Sequence, residues 1–220
     1  MRLDLSLSLS RMTTVGGGEA EPVLTMVNQA NTTVTDLGGG EWRVEKTSGV
    51  EDWNASATGT EPLAGDFILR FTPEVAGLNY MVGVDADPTG TVSYDSLDID
   101  LYMAGGTGVV KPFNNGAGTG EFEVPLVVND TWFVKRAGDA ISVGNGGEDG
   151  VTGYVERATF TKAGTLYVDS SLYHIGAKFK VKLIAASVAI GLFAGASGGE
   201  PVTWGGEPVT WGGEPTEWSA

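Results

Sequence analysis

Two pairs of carboxylates stand two residues apart, Asp98 with Asp100 and Glu121 with Glu123. On a strand, that spacing puts both members of a pair on one face. Two carboxylates sharing a cleft are the equipment of a glycosidase. Beside the first pair, however, Leu97, Ile99 and Leu101 occupy the alternate positions, the pattern that a half-exposed strand gives without catalysis. The one histidine, His174, sits in Ser-Leu-Tyr-His-Ile-Gly-Ala and reads as a structural residue at a strand end. Residues 195–199 fit G-x-S-x-G around Ser197. A nucleophile elbow needs a strand–turn–helix setting and a downstream histidine, and only glycine-rich repeats follow. These residues predict a protein that is not an enzyme, with a β-sandwich glycoside hydrolase as the catalytic alternative.

Asp85-Ala86-Asp87-Pro88-Thr89-Gly90 partly matches a calcium loop, but Ser96 stands where an EF-hand places its bidentate glutamate. Asn145–Gly150 is equally acidic and turn-like. Solvated loops are the expectation for both, with no metal and no cofactor. No glycine-rich phosphate loop with a lysine is present. Aromatic rings stack on apolar sugar faces, and Trp53, Tyr94 and Tyr154 are the candidates for that role. Trp42 and Trp132 lie in strand-like stretches and are expected in the core.

Composition narrows the partners. The 220 residues carry a formal net charge of −15, 34 glycines and no cysteine. An acidic chain lacks the basic footprint of a nucleic-acid binder, and the same charge disfavours docking on anionic membranes. Disulfides and thiolate metal sites are excluded. Residues 183–196, LIAASVAIGLFAGA, are too short to span a bilayer and read as a buried packing segment. The first twelve residues alternate Leu with Asp or Ser, a strand pattern rather than the continuous apolar core of a signal peptide.

The elements that must position these residues are strands. Eleven candidates span 41–47, 66–73, 79–86, 96–104, 108–113, 120–126, 131–138, 140–145, 153–160, 165–172 and 177–185. Turn residues separate them every 8–14 positions, a spacing that suits a sandwich or jelly roll. Three regions follow: an extended N-terminal arm over 1–40, a β-sandwich over 41–184, and an apolar segment with a repeat tail over 185–220.

That tail reads GGEPVTW, GGEPVTW and GGEPTEW from Gly198 to Trp218. Glycine and proline exclude a helical heptad. Pro-Val-Thr-Trp reads as a short strand, and the Gly-Gly pairs at 205–206 and 212–213 read as hairpin turns. A repeat this short makes no core of its own. Trp204, Trp211 and Trp218, with Val202 and Val209, are therefore expected at contacts between subunits.

Several motifs carry a resemblance. They are WRVEKTSGV (42–50), GDFILRF (65–71), MVGVDADP (81–88), SYDSLDIDLY (93–102), DTWFVKR (130–136) and LYVDSSLYHIGA (166–177). Over about residues 41–184 the chain resembles the concanavalin-like jelly-roll module of phage tail-fibre and bacterial surface proteins. The resemblance implies an all-β, antiparallel jelly-roll sandwich with extended arms at both ends, acting as a structural or glycan-binding module. One departure stands out, since ISVGNGGEDG (141–150) replaces the Y-K-N-G hairpin usual there.

The resulting expectation is a phage virion structural protein: a tail-fibre, spike or decoration subunit on the particle surface. Its partners are copies of itself, with a trimer favoured, and other virion proteins. The alternative is a lectin-like module that recognises a host glycan.

Overall fold

The computed structural model describes residues 23–87, 89, 92–184, and the backbone of 203–204 and 207–208. Two antiparallel sheets face each other. The first runs in the order β10 (Val124–Pro125), β8 (Val109–Asn114), β7 (Ile99–Ala104), β6 (Tyr80–Asp85), β14 (Tyr167–Leu172), with β9 (Ala117–Gly118) also on β8. The second has seven strands: β13 (Val155–Thr161), β12 (Ala140–Asn145), β11 (Trp132–Ala137), β5 (Phe67–Pro73), β15 (Lys178–Ile184), β3 (Glu41–Lys46), β2 (Thr32–Gly38). A separate pair, β1 (Met26–Ala30) with β4 (Ser56–Gly59), lies along the free edge of β14.

Period-two alternation explains which faces meet. In β15, Phe179, Val181 and Leu183 enter the core while Lys178, Lys180 and Lys182 stay outside it. Opposite them, Tyr80, Val82 and Val84 of β6 and Ile99, Leu101 and Met103 of β7 point inward. Trp132, Phe71 and Phe179 fill the space between the sheets, each with no exposed surface. The result is the expected all-β, antiparallel jelly-roll sandwich.

Two regions differ from the sequence reading. Residues 26–38, read as part of an arm, supply β1 and β2, and Leu24 and Met26 are core residues. Trp42 Nε1 donates to the Leu24 carbonyl at 2.6 Å and ties this entry segment to β3. Residues 120–126, read as a full strand, form a ladder only at Val124 and Pro125, and Leu126 N adds a bond to the Gly108 carbonyl at 2.8 Å.

β4 joins β14 through side chains as much as backbone. Leu172 N donates to the Ala55 carbonyl at 2.8 Å. Further along, Ser170 Oγ donates to the Ala57 carbonyl and Thr58 Oγ1 to the Val168 carbonyl, both at 2.8 Å. Hydroxyls there replace ladder bonds. In the tail, Thr203–Trp204 pairs antiparallel with Glu207–Pro208, and the Gly-Gly pair read as a turn lies between them. Val202, Val209, Trp211, Trp218 and Ser197 lie outside the described residues, as does the segment 1–22.

Candidate functional site

The outward face of the first sheet carries the residues of interest. It is built from Asp100 and Tyr102 of β7 with Asp98 just before it, Met81, Gly83 and Asp85 of β6, and Tyr167, Asp169 and Ser171 of β14, with Tyr173 just beyond. Residues 92–97, including a 3-10 turn at Tyr94–Ser96, lie across this face. Ser171 Oγ donates to the Val92 carbonyl at 2.8 Å. At the far side the segment meets Gly116. A Cβ there would stand 2.5 Å from Asp95 Cα, and its φ of +70° also requires glycine.

An aromatic cluster is assembled beside that turn. The Trp53 ring lies 5.0 Å from Tyr94, 5.9 Å from Tyr102 and 5.5 Å from Tyr173, in tilted and edge-to-face arrangements. Tyr102 continues to Phe113 at 5.3 Å, and Tyr173 to His174 at 4.8 Å. All six side chains are half-buried, so the cluster presents aromatic surface to solvent. The rings come from β7, β8, the end of β14, the 3-10 turn and the loop after β3.

A buried cation holds that last loop. Lys46 has no exposed surface. Its Nζ donates to Asp52 O at 2.7 Å and Asn54 Oδ1 at 2.8 Å, on either side of Trp53. It also donates to Leu172 O at 3.1 Å and Tyr173 O at 2.7 Å, at the end of β14. Burial lowers its pKa. Four acceptors compensate the ammonium, and one side chain thereby locks Trp53 beside Tyr173.

His174 has the structural role read from sequence: its Nδ1 accepts the Asn79 N–H at 2.8 Å. Tyr154, the third stacking candidate, lies on the outward face of the other sheet. There it packs edge-on against Phe133 at 6.0 Å, with Lys135 Nζ 3.3 Å from its ring centroid. One face of that ring is thus occupied by a lysine. Burial pushes the lysine's pKa down to about 8 and the Tyr154 hydroxyl up to about 12. The structure brings Trp53 and Tyr94 together and leaves Tyr154 apart. It adds Tyr102 and Tyr173, which the sequence reading did not single out.

The aspartates next to the cluster are not on a half-exposed strand, because residues 92–97 cover them. Asp100 is fully buried, and neither carboxylate oxygen has a hydrogen-bond partner. Asp169 is 2 % exposed. Both stand in register with Gly83, one on each neighbouring strand. Burial, then the charge of Asp169, pushes the Asp100 carboxyl well above the usual range. Burial raises Asp169 likewise, against the opposing bond from the Ser170 N–H. Asp98 instead binds Lys162 Nζ at 2.6 Å and the Ala86 N–H at 2.9 Å. Glu121 and Glu123 are exposed, and Glu123 pairs with Lys111 at 2.6 Å.

The two acidic loops are used locally. Asp85 accepts from Asp87 N, Asp87 from Thr89 N and Oγ1, and Asp149 from Val151 N and Thr152 N. Among the described residues no three carboxylate or imidazole groups are placed to hold a metal ion.

No protein-family model and no curated protein matches the chain. Solved structures do. The PSpry domain of TRIM65 superposes with a TM-score of 0.50 at 11 % identity, covering 74 % of this chain and 89 % of that one. The SPRY domain of human HERC1 gives 0.48 at 14 % identity, over 70 % and 94 %. The exoplasmic/lumenal domain of VIP36, in its Ca2+/Man3GlcNAc-bound form, gives 0.47 at 11 % identity, over 73 % and 85 %. At these identities the likeness concerns the fold alone, an antiparallel jelly-roll β-sandwich.

Proposed function

We propose that the sandwich is a non-enzymatic recognition module that takes a glycan on the face centred at Trp53. The observation that carries this reading is the contiguous, half-exposed cluster of Trp53, Tyr94, Tyr102 and Tyr173, held in place by the buried Lys46. Flat rings beside polar rim groups suit the C–H faces and hydroxyls of a sugar. The pre-set loop reduces the ordering cost of binding. A glycan array probed with the intact chain and with Trp53→Ala tests this. Binding that is saturable and lost in the variant supports it, and a blank array for the wild type contradicts it.

A second reading concerns where the module works. The repeat tail favours a subunit of a larger particle, a phage tail fibre, spike or decoration protein displayed on the virion surface. Its support is the Thr203–Trp204 pairing with Glu207–Pro208, whose Thr-Trp-Gly-Gly-Glu-Pro sequence recurs once more at 210–215. Short strands of this kind gain order by pairing with neighbouring chains, and closed symmetry makes a homo-oligomer such as a trimer the natural product. Light scattering on the intact chain and on a form ending at Ser197 tests it.

A further inference from the structure

The rim of the aromatic face is anionic. Glu51 and Asp52 directly precede Trp53, Asp95 directly follows Tyr94, and all three are exposed. Among the described residues, Lys46 and Lys111 stand beside the cluster, and both are engaged within the chain. Lys46 is buried, with its ammonium committed to four acceptors. Lys111, opposite Tyr102 in the ladder, is paired with Glu123 at 2.6 Å. The rings themselves favour positive charge, since their faces are electron-rich. The net charge of −15 adds a long-range field of the same sign.

An acidic sugar would therefore meet carboxylates, while the neighbouring Lys46 and Lys111 are already engaged. A neutral sugar would gain the stacking alone. A sugar bearing an ammonium gains stacking, cation–π attraction and the carboxylate rim together. We infer that the ligand of the Trp53 face is an amine-bearing saccharide of the glucosamine-oligomer class. This inference rests on the reading of that face as a glycan site.

Three oligomers of equal length separate the possibilities: a glucosamine tetramer, its N-acetylated counterpart, and a galacturonic acid tetramer. Each is titrated calorimetrically into the intact chain and into Trp53→Ala. The amine-bearing oligomer is expected to bind about fivefold tighter than the acetylated one. That advantage should shrink on raising salt from about 0.01 M to about 0.3 M. It should also disappear in the double variant Glu51→Gln, Asp95→Asn, which keeps every ring. Trp53-dependent binding in which the acetylated or acidic oligomer equals or exceeds the amine overturns this inference and leaves the glycan face standing. Failure of all three to bind overturns this inference, and a blank glycan array beside it overturns the glycan face as well.

Discussion

Lys46 Nζ donates to the Tyr173 carbonyl at 2.7 Å, across 127 residues of sequence, and the same ammonium grips both neighbours of Trp53. One buried charge therefore links the sheet to the loop that carries the central ring.

Replacing that charge tests the link. Lys46→Met keeps the stem and removes the ammonium from between the loop and the end of β14. A loss of about 3 kcal/mol in stability is expected, the scale of unmaking charged hydrogen bonds in a buried place. Acrylamide quenching should show the Trp53 loop loosened, and glycan affinity should fall with it. Unchanged quenching and stability would mean that the loop holds itself.

The two stacking candidates that share the cluster should behave differently from the one that does not. Trp53→Ala and Tyr94→Ala are expected to abolish or weaken glycan binding by about tenfold or more, with the circular dichroism spectrum unchanged. Tyr154→Phe should leave affinity within about twofold, because that ring sits on the other sheet under Lys135. Equal losses from all three would argue for a global effect on folding.

Gly83 is irreplaceable for a different reason. A Cβ there would lie 2.1 Å from the Ile99 carbonyl oxygen and 2.6 Å from Asp100 Cβ, in the middle of the first sheet. Backbone of a central strand cannot yield without breaking its ladder. Gly83→Ala should destabilise by about 4 kcal/mol or more, read as a large drop in denaturant midpoint. A variant as stable as the wild type would contradict the close approach of β6 and β7.

The pair on either side of Gly83 sets a pH dependence. Asp100 and Asp169 hold protons in the folded chain to higher pH than in the unfolded chain, where an aspartate titrates near about 4. Their contribution is complete below that value and is lost as pH rises towards the folded-state pKa of each. Melting temperature should therefore fall from mildly acidic to alkaline pH. Asp100→Asn, neutral and of similar shape, should flatten that slope and melt higher than wild type at pH 8. A wild-type curve that rises with pH, or a variant that melts lower throughout, would refute the assignment.

The repeat tail gives a prediction independent of the face. The intact chain of 22.9 kDa is expected to scatter as a trimer or larger species. The form ending at Ser197 should scatter as a monomer with the same melting curve. Identical masses for both forms would remove the tail from assembly.

Much of the sandwich was legible because its strands alternate strictly. Leu97, Ile99 and Leu101 set against Asp98 and Asp100, and Phe179, Val181 and Leu183 set against lysines, announce strands on any reading. Ser56–Gly59 escaped because Ser-Ala-Thr-Gly has no apolar alternation, and its pairing runs partly through hydroxyls. Residues 26–38 looked like an arm because β2 is polar, an edge strand in which only Thr32 is buried. The buried state of Asp100 was not legible, since it depends on where residues 92–97 cross the sheet. Trp53 and Tyr94 could be suspected as unattached aromatics. Tyr173 was hidden in a strand-like motif, though the alternation Tyr167, Asp169, Ser171, Tyr173 marks it as outward-facing.

The most direct measurement is the set of indole N–H resonances of the six tryptophans, followed as a glucosamine or N-acetylglucosamine oligomer is added. Trp53 is half-buried in the proposed face, whereas the Trp132 indole is fully enclosed and Trp42 Nε1 is held by the Leu24 carbonyl. A saturable shift of the Trp53 signal is expected, with Trp42 and Trp132 unmoved. A bound state that shifts other indoles and leaves Trp53 in place would contradict it.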